Sequence, residues 1–196
     1  MLYYIKAILG NFRNTTMNLR HLFDQSFYLA KYPDVASANI DPYTHFMIFG
    51  WKENRDPNLY FSTSFYKSVN PDVREENKNP LTHYNEFGIA ELRDPSPFFD
   101  TSVYLQANTD VANGATNPLE HYITYGDKEG RTVIDLFDAA FYLSNNTDVA
   151  NEVNQGRTTA FEHFVRFGHK EGRDPSANFN TALYLEANLD VAASDY

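Results

Sequence analysis

Side chains able to do chemistry recur through this 196-residue chain at fixed spacing. His45, His83 and His121 stand 38 residues apart, and His163 follows after 42. Asp34, Asp72, Asp110 and Asp148 keep the same register, as do Arg55, Arg93, Arg131 and Arg173. Glu53, Glu91, Glu129 and Glu171 each fall two positions before an arginine. Imidazoles ligate metals and shuttle protons, and guanidinium groups grip carboxylates or anions. These residues are therefore the first to weigh for catalysis, metal binding or ligand capture.

Their spacing argues against shared chemistry. Packed helices lie about 8–10 Å apart, too far for histidines of neighbouring units to share an ion bound at about 2 Å. We read each register histidine as hydrogen-bonded to a backbone group between helices, with no catalytic and no metal role. The arginines read as clamps from one unit to its neighbour, tying a carboxylate and loop carbonyls together. The functional alternative is a repeated anion or sugar site, one per unit. His21 and His169 are off register and read as solvated. Neither an EF-hand loop nor a calcium-binding nonapeptide is present. Gly-rich phosphate loops, HExxH and GxSxG are also missing, so no cofactor is expected.

Sixteen Phe and 14 Tyr could include stacking platforms for a ligand. Most recur at positions that read as core. Trp51, Tyr60 and Phe98 lie outside those positions and are the candidate binding residues, with Trp51 alternatively a lid over the first unit's core.

The elements that must position these groups follow from the repeat. Each unit opens with an aromatic and then a capping residue: Phe23-Asp24, Phe61-Ser62, Phe99-Asp100, Phe137-Asp138 and Phe179-Asn180. Asp, Ser and Asn satisfy free N–H groups at a helix start. The tyrosine five positions after each Phe (Tyr28, Tyr66, Tyr104, Tyr142, Tyr184) then completes a hydrophobic staple. A restarted turn is expected at the following Pro-Asp-Val or Thr-Asp-Val. A second helix is expected from Asp41-Pro42, Asn79-Pro80, Asn117-Pro118 and Thr159-Ala160, with capping-box spacing from Thr159 to Glu162. Its apolar stripe reads Tyr43/Phe46/Phe49, Leu81/Tyr84/Phe87, Leu119/Tyr122/Tyr125 and Phe161/Phe164/Phe167. Gly50, Gly88, Gly126 and Gly168 follow, where a left-handed cap would end the helix. Four extra residues in the fourth unit, around Gln155-Gly156-Arg157, predict a surface loop.

The fold class is thus all-α: tandem helix-turn-helix repeats of about 38–42 residues in a solenoid-like or compact helical array. Helices of two to three turns are marginal alone, so neighbours must hold them. The expected divisions are a capping segment at 1–21, repeats at 22–59, 60–97, 98–135 and 136–177, and a half repeat at 178–196. Residues 1–21 carry basic and apolar side chains, which fit a capping helix or a weak membrane-surface anchor.

Composition narrows the function classes. Sixteen Lys+Arg against 26 Asp+Glu give a net charge of −10, which disfavours nucleic acid. No apolar run spans a bilayer, and with no Cys there is no disulfide or thiolate site. The unit FDxx(F/Y)YLxxN(P/T)DVA…NPLxHYxxxGxxEGR(D)P resembles a bacterial tandem repeat over residues 22–196. That repeat accompanies secreted haemolysin-type calcium-binding proteins and polysaccharide-building glycosyltransferases. The resemblance implies an accessory, non-catalytic module, leaning towards an extracellular or cell-surface location without a classical signal peptide. The chain departs from the pattern at Asn54, at Ala90-Glu91-Leu92-Arg93, and at Thr132-Val133 in place of Asp-Pro. We expect a binding or scaffolding module for a protein or polysaccharide. The rivals are an accessory region of a glycosyltransferase, or a structural protein self-associating through its half repeat.

Overall fold

The structure, a computed structural model, describes residues 18–38 and 40–189. The capping segment falls mostly on residues 1–17, outside the described residues; within its remainder, Leu19–Leu22 forms one 3₁₀ turn. The fold is all-α, and no strand is present among the described residues beyond isolated bridges such as Asn58 with Phe61. The chain divides into two compact bodies, 1–124 and 125–196.

Each unit begins with a seven-residue leading helix: Gln25–Lys31, Thr63–Val69, Thr101–Ala107, Ala139–Asn145 and Thr181–Ala187. The five expected caps are all made. The side chains of Asp24, Ser62, Asp100, Asp138 and Asn180 accept from the N–H three residues on. The staples close as expected, with ring centroids 5.0 Å apart for Phe23/Tyr28 and 5.2 Å for Phe179/Tyr184.

The restarted turns are short helices at Pro33–Ser37, Pro71–Glu75 and Thr109–Asn113, each with a buried valine. The fourth runs Thr147–Asn154, eight residues against five. Gln155-Gly156-Arg157 form the exposed turn expected there, with Gly156 at φ 68°, and the added length also extends the helix before it. Adding helical residues extends a hydrogen-bond ladder already nucleated, whereas a loop would order backbone without one.

The trailing helices begin at Pro42–His45, Pro80–His83, Pro118–His121 and Ala160–His163. Asp41, Asn79, Asn117 and Thr159 cap them through side-chain acceptors. Only half of the capping box forms: Thr159 accepts from Glu162 N–H, while the Glu162 carboxylate takes Arg166 and Thr158 instead. Each helix then widens into a π turn, Phe46–Gly50, Tyr84–Gly88, Tyr122–Gly126 and Phe164–Gly168. There Trp51 N–H donates to the Phe46 carbonyl at 3.2 Å and Ile89 N–H to Tyr84 at 3.0 Å, five residues back.

Units also join. Thr63 donates its N–H to Asp56 Oδ1 (2.8 Å) and its hydroxyl to the Arg55 carbonyl (2.7 Å), so one unit's Arg-Asp segment holds the next unit's leading helix. Thr101 repeats this with Asp94 and Arg93, and Thr181 with Asp174 and Arg173. Unit 4 carries Ala139 at the threonine position, and Thr132 stands where the aspartate would be. In the first body the leading 3₁₀ turn of unit 1 packs on the trailing helix of unit 3.

Candidate functional site

The register groups meet in one cluster inside units 1, 2 and 4, and in unit 3 the tyrosine and histidine pair in the same way. Tyr28, Tyr66, Tyr104 and Tyr142 are fully buried staple rings. Each hydroxyl meets Nδ1 of its unit's histidine: His45 at 3.0 Å, His83 at 3.0 Å, His121 at 2.7 Å and His163 at 2.9 Å. The expected histidine partner was a backbone group. The structure supplies a phenol instead, because the staple brings the tyrosine tip under the trailing helix, where main-chain groups already pair. Burial pushes the phenols of Tyr28, Tyr66 and Tyr142 up, the last to about 12. They keep their protons, and with the phenol as donor, Nδ1 accepts and Nε2 carries the imidazole's N–H.

The glycines explain themselves at the same point. Gly50, Gly88 and Gly168 are not left-handed caps. A Cβ on Gly50 would lie 2.2 Å from Tyr28 Oη, on Gly88 2.3 Å from Tyr66 Oη, and on Gly168 2.1 Å from Tyr142 Oη. The left-handed residues come four positions later: Asn54, Leu92, Gly130 and Gly172, with φ of 57°, 55°, 65° and 71°. These are the central residues of Glu-x-Arg, and they end the trailing segment with Arg55 N–H on the Gly50 carbonyl at 2.9 Å.

That turn aims the arginine back into its own unit. Arg55 grips Asp34 through Nη1 (2.8 Å) and Nη2 (2.7 Å) and donates from Nε to Glu53 (2.6 Å). Arg93 holds Asp72 and Glu91, and Arg173 holds Asp148 and Glu171, in the same manner. The clamp closes a unit on itself, where one between neighbours was expected. The sequence reading passed over Asn70 and Asn146, which accept from Arg93 and Arg173 and donate to the carbonyls of Tyr66 and Tyr142. The guanidinium holds the Asp72 and Asp148 carboxyls down at about 2. Burial, then the nearby arginine, lowers His83 and His163.

The binding candidates sit elsewhere than expected. Trp51 and Tyr60 are buried and Phe98 is half-buried. Trp51 donates to the Met47 carbonyl and accepts the Lys67 ammonium of the next unit on its own carbonyl at 2.7 Å, with that ammonium also 5.3 Å from its ring. Tyr60 packs edge-on against Tyr122 at 5.0 Å. Off register, His21 is exposed, but His169 is half-buried and bonds the Phe164 carbonyl at 2.9 Å.

The rings facing water are the third members of the supposed core stripe. Phe49, Phe87, Tyr125 and Phe167 are 49%, 39%, 57% and 52% exposed. At about 100° per residue, position i+6 lies some 120° round from position i, off the apolar face. That arithmetic was available from the sequence. Phe49, Phe87 and Phe167 lie against their unit's histidine, ring centroids 5.8, 5.4 and 5.5 Å apart. No group of three or more His, Asp or Glu poised for a metal is found among the described residues. In units 1, 2 and 4 the result is a half-exposed ring, an imidazole, and an Arg–Asp–Glu cluster with outward carboxylate edges. Compared with known proteins, the chain matches no family model, no curated protein and no solved structure.

Proposed function

We propose that this chain is a non-catalytic repeat module for binding or scaffolding, presenting a repeated surface to a protein or an extracellular polysaccharide. One observation carries the reading. The tyrosine, histidine, arginine and carboxylates of a unit bond to one another in the same way in units 1, 2 and 4. The groups best suited to chemistry therefore hold the unit shut. Catalysis calls for a nucleophile or base poised against an open position, whereas these hydroxyls are buried and spent on imidazole. What recurs towards solvent is a ring beside planar polar groups, which suits recognition.

The test pairs a glycan array and protein baits with a nucleotide-sugar turnover assay on the same preparation. The module reading expects retention of a partner with no conversion. Turnover of a sugar donor without retention of any partner overturns it.

A further inference from the structure

We propose that the exposed ring and outward carboxylate edges of units 1, 2 and 4, with the histidine Nε2–H of units 1 and 4, form a subsite for one residue of a neutral polysaccharide. This rests on the module reading above and narrows it to a ligand class and named side chains. In unit 2 the site is Phe87, Asp72 and Glu91, His83 being buried; in units 1 and 4 it is Phe49, His45, Asp34 and Glu53, and Phe167, His163, Asp148 and Glu171.

The donor set selects the ligand. An anion finds no grip, because four of the five Arg93 N–H groups are committed: Nε to Glu91, Nη1 to Asn70 and Asp72, Nη2 to Asp72. Two carboxylates against one guanidinium also leave the cluster negative. A cation is drawn only weakly, since those carboxylates are already paired and half exposed to water. A neutral polyol fits. A carboxylate has about four acceptor sites; Asp72 spends two on the guanidinium and Glu91 one, leaving lone pairs on edges that face solvent. In units 1 and 4, where His45 and His163 are half-buried, donation by the phenol to Nδ1 leaves Nε2–H as a donor, whereas His83 of unit 2 is buried with Nε2 3.9 Å from Asp72. The ring offers an electron-rich face to the C–H face of a sugar, one that in unit 2 already carries Lys78 Nζ at 5.9 Å from the Phe87 centroid.

A protein partner fits less well. Its interface would centre on a contiguous apolar core, whereas Phe87 and Phe167 are each preceded by a charged residue, Glu86 and Arg166. A shallow subsite with one ring binds one sugar feebly. Repetition in several units converts that into avidity for a polymer, which can raise affinity by about 10²–10⁴.

Affinity electrophoresis of the full chain tests this, using β-1,3-glucan, β-1,4-glucan, mannan and galactan as neutral probes and alginate as the acidic one. At least one neutral polymer retards the wild type. The variant F49A/F87A/F167A, with its thermal transition retained, loses at least tenfold in affinity, while V69S, another exposed apolar position, is unchanged. Should the triple variant not fold, the three single variants carry the test, each two- to threefold weaker. Retardation by alginate alone, by no neutral polymer, or equally in the ring variants overturns the subsite. Shortening of a bound polymer in a ring-dependent way overturns the non-catalytic reading while supporting the subsite, so the two failures are distinct.

Discussion

Replacing Gly88 by Ala probes the closure of a unit at its tightest point. The added Cβ lies 2.3 Å from Tyr66 Oη and 3.1 Å from Tyr84 Cδ2, but 3.5 Å from Tyr66 Cζ. Only the hydroxyl is in serious overlap, and it must move by about 1 Å from a fully buried place. Overpacking costs about 1–3 kcal/mol. Pulling Tyr66 Oη off His83 Nδ1, now 3.0 Å away, leaves buried polar atoms unsatisfied for about 1–3 kcal/mol more. Ala favours helix over Gly by about 1 kcal/mol, so the net loss is about 1–5 kcal/mol. Tyr66→Phe alone loses the hydrogen bond, about 1–2 kcal/mol. In Y66F/G88A the overlap is gone, since Cζ is at ordinary contact distance, and the double variant is more stable than G88A. Urea unfolding followed by circular dichroism measures the cycle. A loss below about 0.5 kcal/mol in G88A, or no rescue by Y66F, refutes the reasoning.

Gly172→Ala is a contrasting change. Nothing lies within 4 Å of the new Cβ, yet φ is 71°, so the loss is backbone strain alone, about 1 kcal/mol, read by the same unfolding assay. Giving unit 4 the pair found at the other joints with T132D/A139T supplies the bond that Thr63 makes to Asp56, and stability rises by about 1 kcal/mol in thermal melts. Acid sensitivity has two limbs. His83 and His163 lie below 6.5 in the fold, so their contribution is present above that pH and is lost as pH falls beneath it. Asp72 and Asp148, depressed from 3.8 to about 2, contribute above pH 4 and lose that contribution as pH falls towards 2. A titration of unfolding midpoint shows both limbs, and R93A/R173A flattens the lower one.

What could be read from the sequence was what neighbouring residues decide. The caps Asp24, Ser62, Asp100, Asp138 and Asn180 and their staples depend on spacings of three and five residues, so the register alone exposes them. Prolines at the first helical position placed three of the trailing helices equally well. The closure was hidden because it depends on approaches across a unit. Gly50 and Tyr28 are 22 positions apart, and nothing local says that the phenol presses on that glycine. The direction of Arg55 depended on the left-handed turn at Asn54, a residue that gives a weaker signal than the Gly of Glu-Gly-Arg. Tyr60 was misplaced because lying outside a stripe was equated with lying at the surface, whereas the buried Trp51 fits the alternative of a lid. Phe49 and its counterparts erred the opposite way, through an i+6 spacing that a helix does not keep on one face.

The claim beneath all of this is that the register histidines are structural acceptors of buried tyrosine hydroxyls. Long-range ¹H–¹⁵N correlation of the imidazole nitrogens at neutral pH tests it directly. The account predicts that His45, His83, His121 and His163 each hold the Nε2–H tautomer with Nδ1 as acceptor, and that Y66F perturbs His83 alone. Nδ1–H signals on these residues, or the averaged tautomers of free imidazole, contradict it.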